Sequence, residues 1–424
     1  MDLEPGEGVG PLKLGMTLWD TLNLVRSSSA RILGQVTQSS VTWSNEEPNS
    51  SYIVINVSFG SALAYRLIFS GSSQRLELVE VLPPAISSTI TWKGQRLFQS
   101  NGATDAQKAL NSKFGPTYPP SPHPSFPDEL VLSYPGIVFA FHRDNASSRS
   151  SALPTSTTRQ SGSKIAEDKC PLTRLVVSRH DPSANHATAY PDIAKLEQSQ
   201  DPYPIAEGDV SYADIELVEK PGGRSRVTLH FVNLPSGPAV EPFDIILGVS
   251  TSEDVTCTLG PPLRTYYKED TRLSIHDRAS SSMPGSNIPP NAYFFNYFSL
   301  GLDFLFHPET NRVIKVLVHA NTPGEVLFGR YNKCRWRLCR EGQPDNPATS
   351  EDSIDKVKAV FNAPEKRDSN KEYSVPRKER TMLLDRLADS TDGVKLDRTT
   401  DLQAFPGCIM EVTQNKCIET LWIV

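Results

Sequence analysis

Eight histidines, six cysteines and 49 carboxylates are the groups in this 424-residue sequence that could bind a metal or move a proton. Spacing decides whether they can act together. A metal site gathers several His, Cys or carboxylate ligands on one ion, and sequences that build one usually supply at least two at a short fixed offset. His142, His230, His307 and His319 lie on or beside predicted strands with no paired spacing, so each reads as a strand-end or surface imidazole. Asp303 and Glu411 stand singly in predicted strands and read as outward or edge positions. Cys334 and Cys339, the closest cysteine pair, are spaced C-x4-C and read as free thiols of a reducing compartment. The sequence has no G-x-S-x-G elbow, no G-x-x-x-x-G-K-S/T loop, no H-E-x-x-H and no C-x-x-C. These residues predict no catalytic centre, no metal site and no cofactor, and a chain that is not an enzyme.

Two runs carry binding chemistry instead. Asn291–Phe298 (NAYFFNYF) holds five aromatics in eight residues: Tyr293, Phe294, Phe295, Tyr297 and Phe298. Exposed, they would form a platform for a protein partner; buried, they would be a core strand, the commoner role of such a run. Arg330–Arg340 (RYNKCRWRLCR) holds Arg330, Lys333, Arg335, Arg337 and Arg340 and no acid. On a strand, Lys333, Arg335 and Arg337 alternate with Cys334, Trp336 and Leu338, a cationic face opposite an apolar one. That face suits phosphoinositide headgroups or an acidic partner surface. It equally suits an edge strand that charge protects against stray pairing. The Glu365–Arg386 stretch has 7 basic and 5 acidic residues and reads as a solvated loop.

The elements that must position these runs are short. With 34 Pro and 25 Gly the chain is punctuated too often for a helical bundle. A net charge of −6 excludes a chain-wide basic field for nucleic acid. The acidic start Met1–Gly10 is unlike a secretory signal, and no apolar stretch reaches the roughly 18–20 residues of a membrane helix. The Asn49, Asn56 and Asn145 glycosylation-type triplets read as chance, and the reading is cytoplasmic.

A repeating pattern organises the rest. Phe59–Val81, Tyr134–Phe141 with Leu172–Val177, Tyr297–Val318 and Phe405–Val424 each run aromatic, small turn, strand, polar turn, strand. Strict alternation sets Val313, Lys315 and Leu317 against Ile314, Val316 and Val318. Before each pattern comes a short helical segment led by Thr or Ser, with Leu18, Leu22, Val25; Ala106, Leu110; Val255, Leu259; and Ile354, Val357, Phe361 at helical spacing. Gly115-Pro116, Gly260-Pro261 and Ala363-Pro364 end three of them. The expected fold is α+β: four modules of a short helix packed on a small antiparallel sheet, sharing a core because one alone buries little. The Leu-Gly-x-Ser/Thr start and Leu-Gly-x-Pro end resemble β-lactamase-inhibitor-type modules. The boundaries expected are 9–82; 90–180 with a disordered insertion at 144–171; 208–322 with an extra hairpin and an insertion at 271–290; and 325–424 with a charged insertion at 365–388.

Asn291–Gly324 also resembles the phagosome assembly factor 1 family. The matching positions are Tyr293 to Phe298, Leu300, Gly301, Asp303, Lys315, His319, Asn321, Pro323 and Gly324. Leu14-Gly15-Met16, Leu247–Asp270, Asn332–Cys334 and Ile409–Val412 fit as well, while Lys333–Arg337 is more basic than the family pattern. The resemblance implies a non-enzymatic regulator or adaptor of autophagy. It would act with a β-propeller (WD-repeat-like) autophagy protein at the forming autophagosome membrane. The chain would be recruited to the phagophore assembly site and reach the membrane peripherally through that partner. The family offers no catalytic residues to transfer. The alternative is a phosphoinositide- or membrane-surface-binding module in vesicle trafficking, and behind it an uncharacterised enzyme.

Overall fold

The computed structural model describes residues 1–27, 37–83, 85–86, 90–97, 106–142, 172–179, 191, 209–218, 223–233, 239–267, 289, 291–340, 343–362, 380–385 and 399–424. The insertions expected at 144–171 and 271–290 fall almost wholly outside them.

Two threonines fix where helices begin. The Asp20 N–H donates to Thr17 Oγ1 at 2.9 Å, and the Thr17 hydroxyl donates to Asp20 Oδ2 at 2.7 Å. The Asp254 N–H donates to Thr251 Oγ1 at 3.3 Å, and the Thr251 N–H to Asp254 Oδ2 at 2.7 Å, a complete capping box. Helix α1 (Leu18–Ser27) follows β1 (Leu3–Glu4), β2 (Gly8–Val9) and β3 (Leu12–Lys13). It leads into β4 (Gln38–Thr42), β5 (Ile53–Phe59), β6 (Ala62–Phe69) and β7 (Leu76–Val81). After β8 (Thr91–Trp92) and β9 (Gln95–Arg96), α2 (Ala106–Phe114) leads into β10 (Ser121–Pro122), β11 (Glu129–Tyr134), β12 (Ile137–His142) and β13 (Leu172–Ser178). After β14 (Val210–Leu217), β15 (Arg226–Phe231) and β16 (Phe243–Ile246), α3 (Ser252–Leu259) leads into β17 (Arg264–Tyr267), β18 (Tyr293–Tyr297), β19 (Leu302–Phe306) and β20 (Val313–His319). Last, β21 (Trp336–Arg340) and β22 (Gln343–Thr349) precede α4 (Ile354–Asn362), followed by β23 (Arg380–Asp385), β24 (Thr399–Phe405), β25 (Cys408–Val412) and β26 (Ile418–Ile423). The fold is α+β, mostly antiparallel sheet with short helices.

Two eight-stranded antiparallel sheets form the frame. One runs β10-β11-β12-β13-β7-β6-β5-β4, the other β17-β18-β19-β20-β26-β25-β24-β23. In each, two four-stranded meanders join through their last strands, β7 to β13 and β20 to β26. A third sheet, β16-β15-β14-β21-β22, has β14 parallel to β21. In residues 1–179 its counterpart is β1–β3 beside β8–β9, with a parallel bridge between Asp2 and Thr91. Individual hydrogen bonds recur in the two halves. Gly15 N–H donates to Leu76 O as Gly248 N–H does to Val313 O, and Leu18 N–H to Gln74 O as Ser252 N–H does to Asn311 O. Arg75 donates to Gly15 O at 3.2 Å and Arg312 to Gly248 O at 3.1 Å. The two halves share one connectivity.

Each half has its own core, Tyr65, Phe69 and Phe139 among the largest buried side chains of the first, Trp336, Phe304 and Phe306 of the second. Strict alternation fails at Val313. A β-bulge pairs Leu305 with Lys315 and Phe306 with Val313, so Val313 joins Val316 and Val318 in the core. Most of the Glu365–Arg386 stretch lies outside the described residues, but 380–385 form β23 and are not loop. The hairpin of β14 and β15 proves to be part of the third sheet.

The segment between β20 and β21 fastens one half to the other. Phe328 packs against the first core and lies 6.2 Å from Trp43, ring to ring. Asn321 and Gln74 exchange hydrogen bonds, Gln74 Nε2 to Asn321 O at 2.9 Å and Asn321 Nδ2 to Gln74 Oε1 at 2.7 Å. Trp19 Nε1 donates to Arg330 O at 3.0 Å.

Candidate functional site

The five aromatics of 293–298 divide by strand parity. Tyr293, Phe295 and Tyr297 face the second core. Tyr297 is buried, its hydroxyl donates to Gly260 O at 2.8 Å, and burial pushes its pKa up to about 12. Phe298 packs on Tyr331 at 4.9 Å. Tyr297 is held inside the fold, and Phe298 is half-buried. Tyr293, Phe294 and Phe295 are half-buried near the edge of the sheet.

The exposed part of the aromatic surface comes from β17, which the sequence reading did not single out. Its four residues are all exposed, and among the described residues only β18 pairs with it. Tyr267 at 59% and Leu263 at 57% are the most exposed large hydrophobic side chains described, with Tyr266 at 48%. Tyr266 sits opposite Phe294 on one face, rings 6.5 Å apart; Tyr267 sits opposite Tyr293 on the other, 5.8 Å apart. The edge strand at the matching position of the first half, β4, reads QSSVT. In register Thr42 faces Val54 as Tyr266 faces Phe294, so the fold tolerates a polar residue at the position of Tyr266, while the next residue of the first half, Trp43, packs against its core. The signal in the sequence was the RTYY quartet itself, too short to read as a strand by periodicity.

The basic run is dispersed rather than gathered on a face. Strand β21 is interior, flanked by β14 and β22, so it is not the edge strand that was one of its two readings. Lys333 is buried and its ammonium donates to Asn49 O at 2.9 Å and Gly71 O at 3.0 Å. Desolvation brings its pKa down to about 8. Arg337 is exposed but bound bidentately to Asp214, 2.6 Å for each contact, and stacks over Tyr212 at 4.1 Å. His230 shares that Asp214 at 2.9 Å. Arg335 lies 3.7 Å from Glu351, and Arg330 is exposed on the connecting segment. The Arg340 side chain lies outside the described residues.

Asp303, His319 and Glu411 correct the outward reading given to them. Asp303 is 4% and His319 3% exposed, and Glu411 is fully buried against Thr400. Asp303 Oδ2 accepts the Tyr331 hydroxyl at 2.8 Å and lies 3.0 Å from His319 Nε2; Asn296 Nδ2 donates to Oδ1 at 2.8 Å. His319 stacks on Tyr331 at 3.8 Å, and Thr420 Oγ1 is 3.4 Å from His319 Nδ1. Desolvation, and then the Asp303 charge, push the Tyr331 hydroxyl well above the usual phenol range. The Asp–His spacing is that of an acid–base dyad, yet all its members are buried. What the arrangement does is tie β18, β19 and β20 to the connecting segment. A lone acid in the otherwise apolar LDFLF strand was the available signal, because a strand apolar on both sides is covered on both.

Among the described residues no three His, Cys, Asp or Glu side chains stand close enough to hold a metal ion. No described helix is long and apolar enough to cross a membrane.

The family model for Phagosome assembly factor 1 matches residues 8–424. The chain belongs to the phagosome assembly factor 1 family. A PHAF1 protein of Arabidopsis thaliana is 26% identical over 370 residues, covering 84% of this chain and 81% of the relative. One of Caenorhabditis elegans is 27% identical over 313 residues, 72% of this chain and 69% of the relative. One of Drosophila melanogaster is 25% identical over 364 residues, 81% and 74%. No solved structure matches. In this family member the YFFNYF run is thus half core strand and half support for an exposed aromatic edge.

Proposed function

We propose that this protein is a non-enzymatic assembly factor of the phagosome and autophagosome pathway that works by holding a protein partner. The observation that carries the reading is the aromatic edge of β17, whose four residues are all exposed. Family membership supports the pathway. The buried state of the Asp303–His319 pair supports a role without catalysis. The partner in this reading is a β-propeller autophagy protein. The chain is cytoplasmic and recruited with that partner to the phagophore assembly site, reaching the membrane peripherally. The four helix-and-meander units act as modules of β-lactamase-inhibitor type, with the boundaries 9–82, 90–180, 208–322 and 325–424.

A direct phosphoinositide site has less support. Of its five basic residues, Lys333 is buried against backbone carbonyls and Arg337 is neutralised by Asp214. Affinity purification of the tagged chain from starved cells tests the reading. Recovery of a propeller protein supports it. Recovery of no protein, together with turnover of a metabolite by the purified chain, overturns it.

A further inference from the structure

Strand β17 presents three features on one short edge. Half the backbone N–H and C=O groups of an edge strand point away from its neighbour, and no described strand meets them here. Aromatic pairs straddle the edge, Tyr266 with Phe294 on one face of the sheet and Tyr267 with Tyr293 on the other. Arg264 is exposed on the same face as Tyr266, its guanidinium 5.7 Å from that ring, with no described carboxylate in ion-pair reach.

Resting on the reading above, we infer that β17 binds its partner by strand addition: an extended, acidic-apolar segment of the partner protein pairs with Arg264–Tyr267 as a ninth strand. A helix or a flat surface would cover one face of the sheet and leave the edge's backbone groups unmet. An added strand pairs with those groups and sends successive side chains to opposite faces. Its apolar residues then lie beside the Tyr266 and Tyr267 pairs, and an acid on the Tyr266 face meets Arg264 across the strands. The charge of Arg264 and the two-faced placement of the aromatics choose this occupant. The β4 edge, with Ser40 at the register position of Arg264 and Thr42 at that of Tyr266, carries neither this cation nor this ring.

The test uses a phage-displayed library of random octapeptides panned on the full-length chain. Binding is compared on wild type, Arg264→Glu and the double variant Tyr266→Ser/Tyr267→Ser, which removes both exposed rings. All changed side chains are exposed, and equal thermal unfolding of the three proteins verifies the fold. Expected are proline-poor peptides with alternating apolar residues and an acid. They should bind at least tenfold more weakly to each variant and slow hydrogen exchange at 264–267. Failure to enrich peptides, equal binding to all three proteins, or protection elsewhere overturns the inference. Propeller recovery from cells that persists with the double variant removes strand addition and leaves the assembly reading standing. Loss of the assembly reading would show instead as no protein recovered with the wild type, together with turnover of a metabolite by the purified chain.

Discussion

The buried ammonium of Lys333 donates to the backbone carbonyl of Gly71 at 3.0 Å, reaching from the second half of the chain into the first, and to Asn49 O at 2.9 Å. Both acceptors are neutral. The burial that brings the lysine pKa down to about 8 is countered by the charge of Glu351 and by these hydrogen bonds. Replacing Lys333 with Met keeps the stem's volume, removes the desolvated charge and strands two buried carbonyls. An orphaned buried acceptor costs about 1–3 kcal/mol, and two of them outweigh the relief. Lys333→Met is expected to lose about 1–3 kcal/mol by urea denaturation. An unchanged midpoint would mean that the seam between the halves does not rest on this clamp.

Tyr297 and Tyr266 are two tyrosines on neighbouring strands with opposite prospects. Tyr297 is buried with its hydroxyl on Gly260 O, so Tyr297→Ala opens a cavity and is expected to cost about 3–5 kcal/mol. Tyr266→Ser changes an exposed ring and is expected to stay within about 0.5 kcal/mol. Thermal unfolding of both variants checks the contrast. A large loss at Tyr266 would return the β17 edge to the fold.

The helices were legible because capping chemistry is local: Thr17 and Thr251 lie three residues before the carboxylates they exchange bonds with. The later strands of each meander were legible from alternation, up to the bulge that turned Val313 inward. Three things were not. β17 is four residues long and is a strand only because β18 pairs with it. The burial of Asp303 and His319 depends on Tyr331 and Thr420, which are distant in sequence. The position of β21 inside a sheet depends on β14, more than a hundred residues earlier. The aromatic run lies next to the edge of the sheet, but the exposed rings belong to the strand beside it.

Asp303 accepts from Tyr331 and Asn296 and faces His319, so Asp303→Ala would leave three buried polar side chains without their acceptor. The expected loss is about 3–5 kcal/mol. Because the three share one carboxylate, Asp303→Ala and Tyr331→Phe should be non-additive by about 0.5–3 kcal/mol in a double-mutant cycle. Additive losses would show that the knot works as separate bonds.

Glu419 gives the fold a pH dependence with a definite sign. It is fully buried, Oε2 accepts the Thr322 N–H at 2.8 Å, and desolvation raises its pKa to about 8. Below the ordinary carboxylate range both the folded and unfolded chains hold the proton, and the group is neutral to folding. As pH climbs toward 8 the unfolded chain ionises while the folded chain keeps its proton, so folding is progressively penalised. Lys333 adds nothing to this slope, since its own cost is constant until pH nears 8 and then declines as the folded chain loses that proton. Between pH 5 and 8, Glu419→Gln should therefore gain stability over wild type as pH rises, by on the order of 3 kcal/mol across the window. Melting temperatures of the two proteins at pH 5, 6, 7 and 8 check it. A constant difference across that series would mean that Glu419 is ionised in the folded chain throughout.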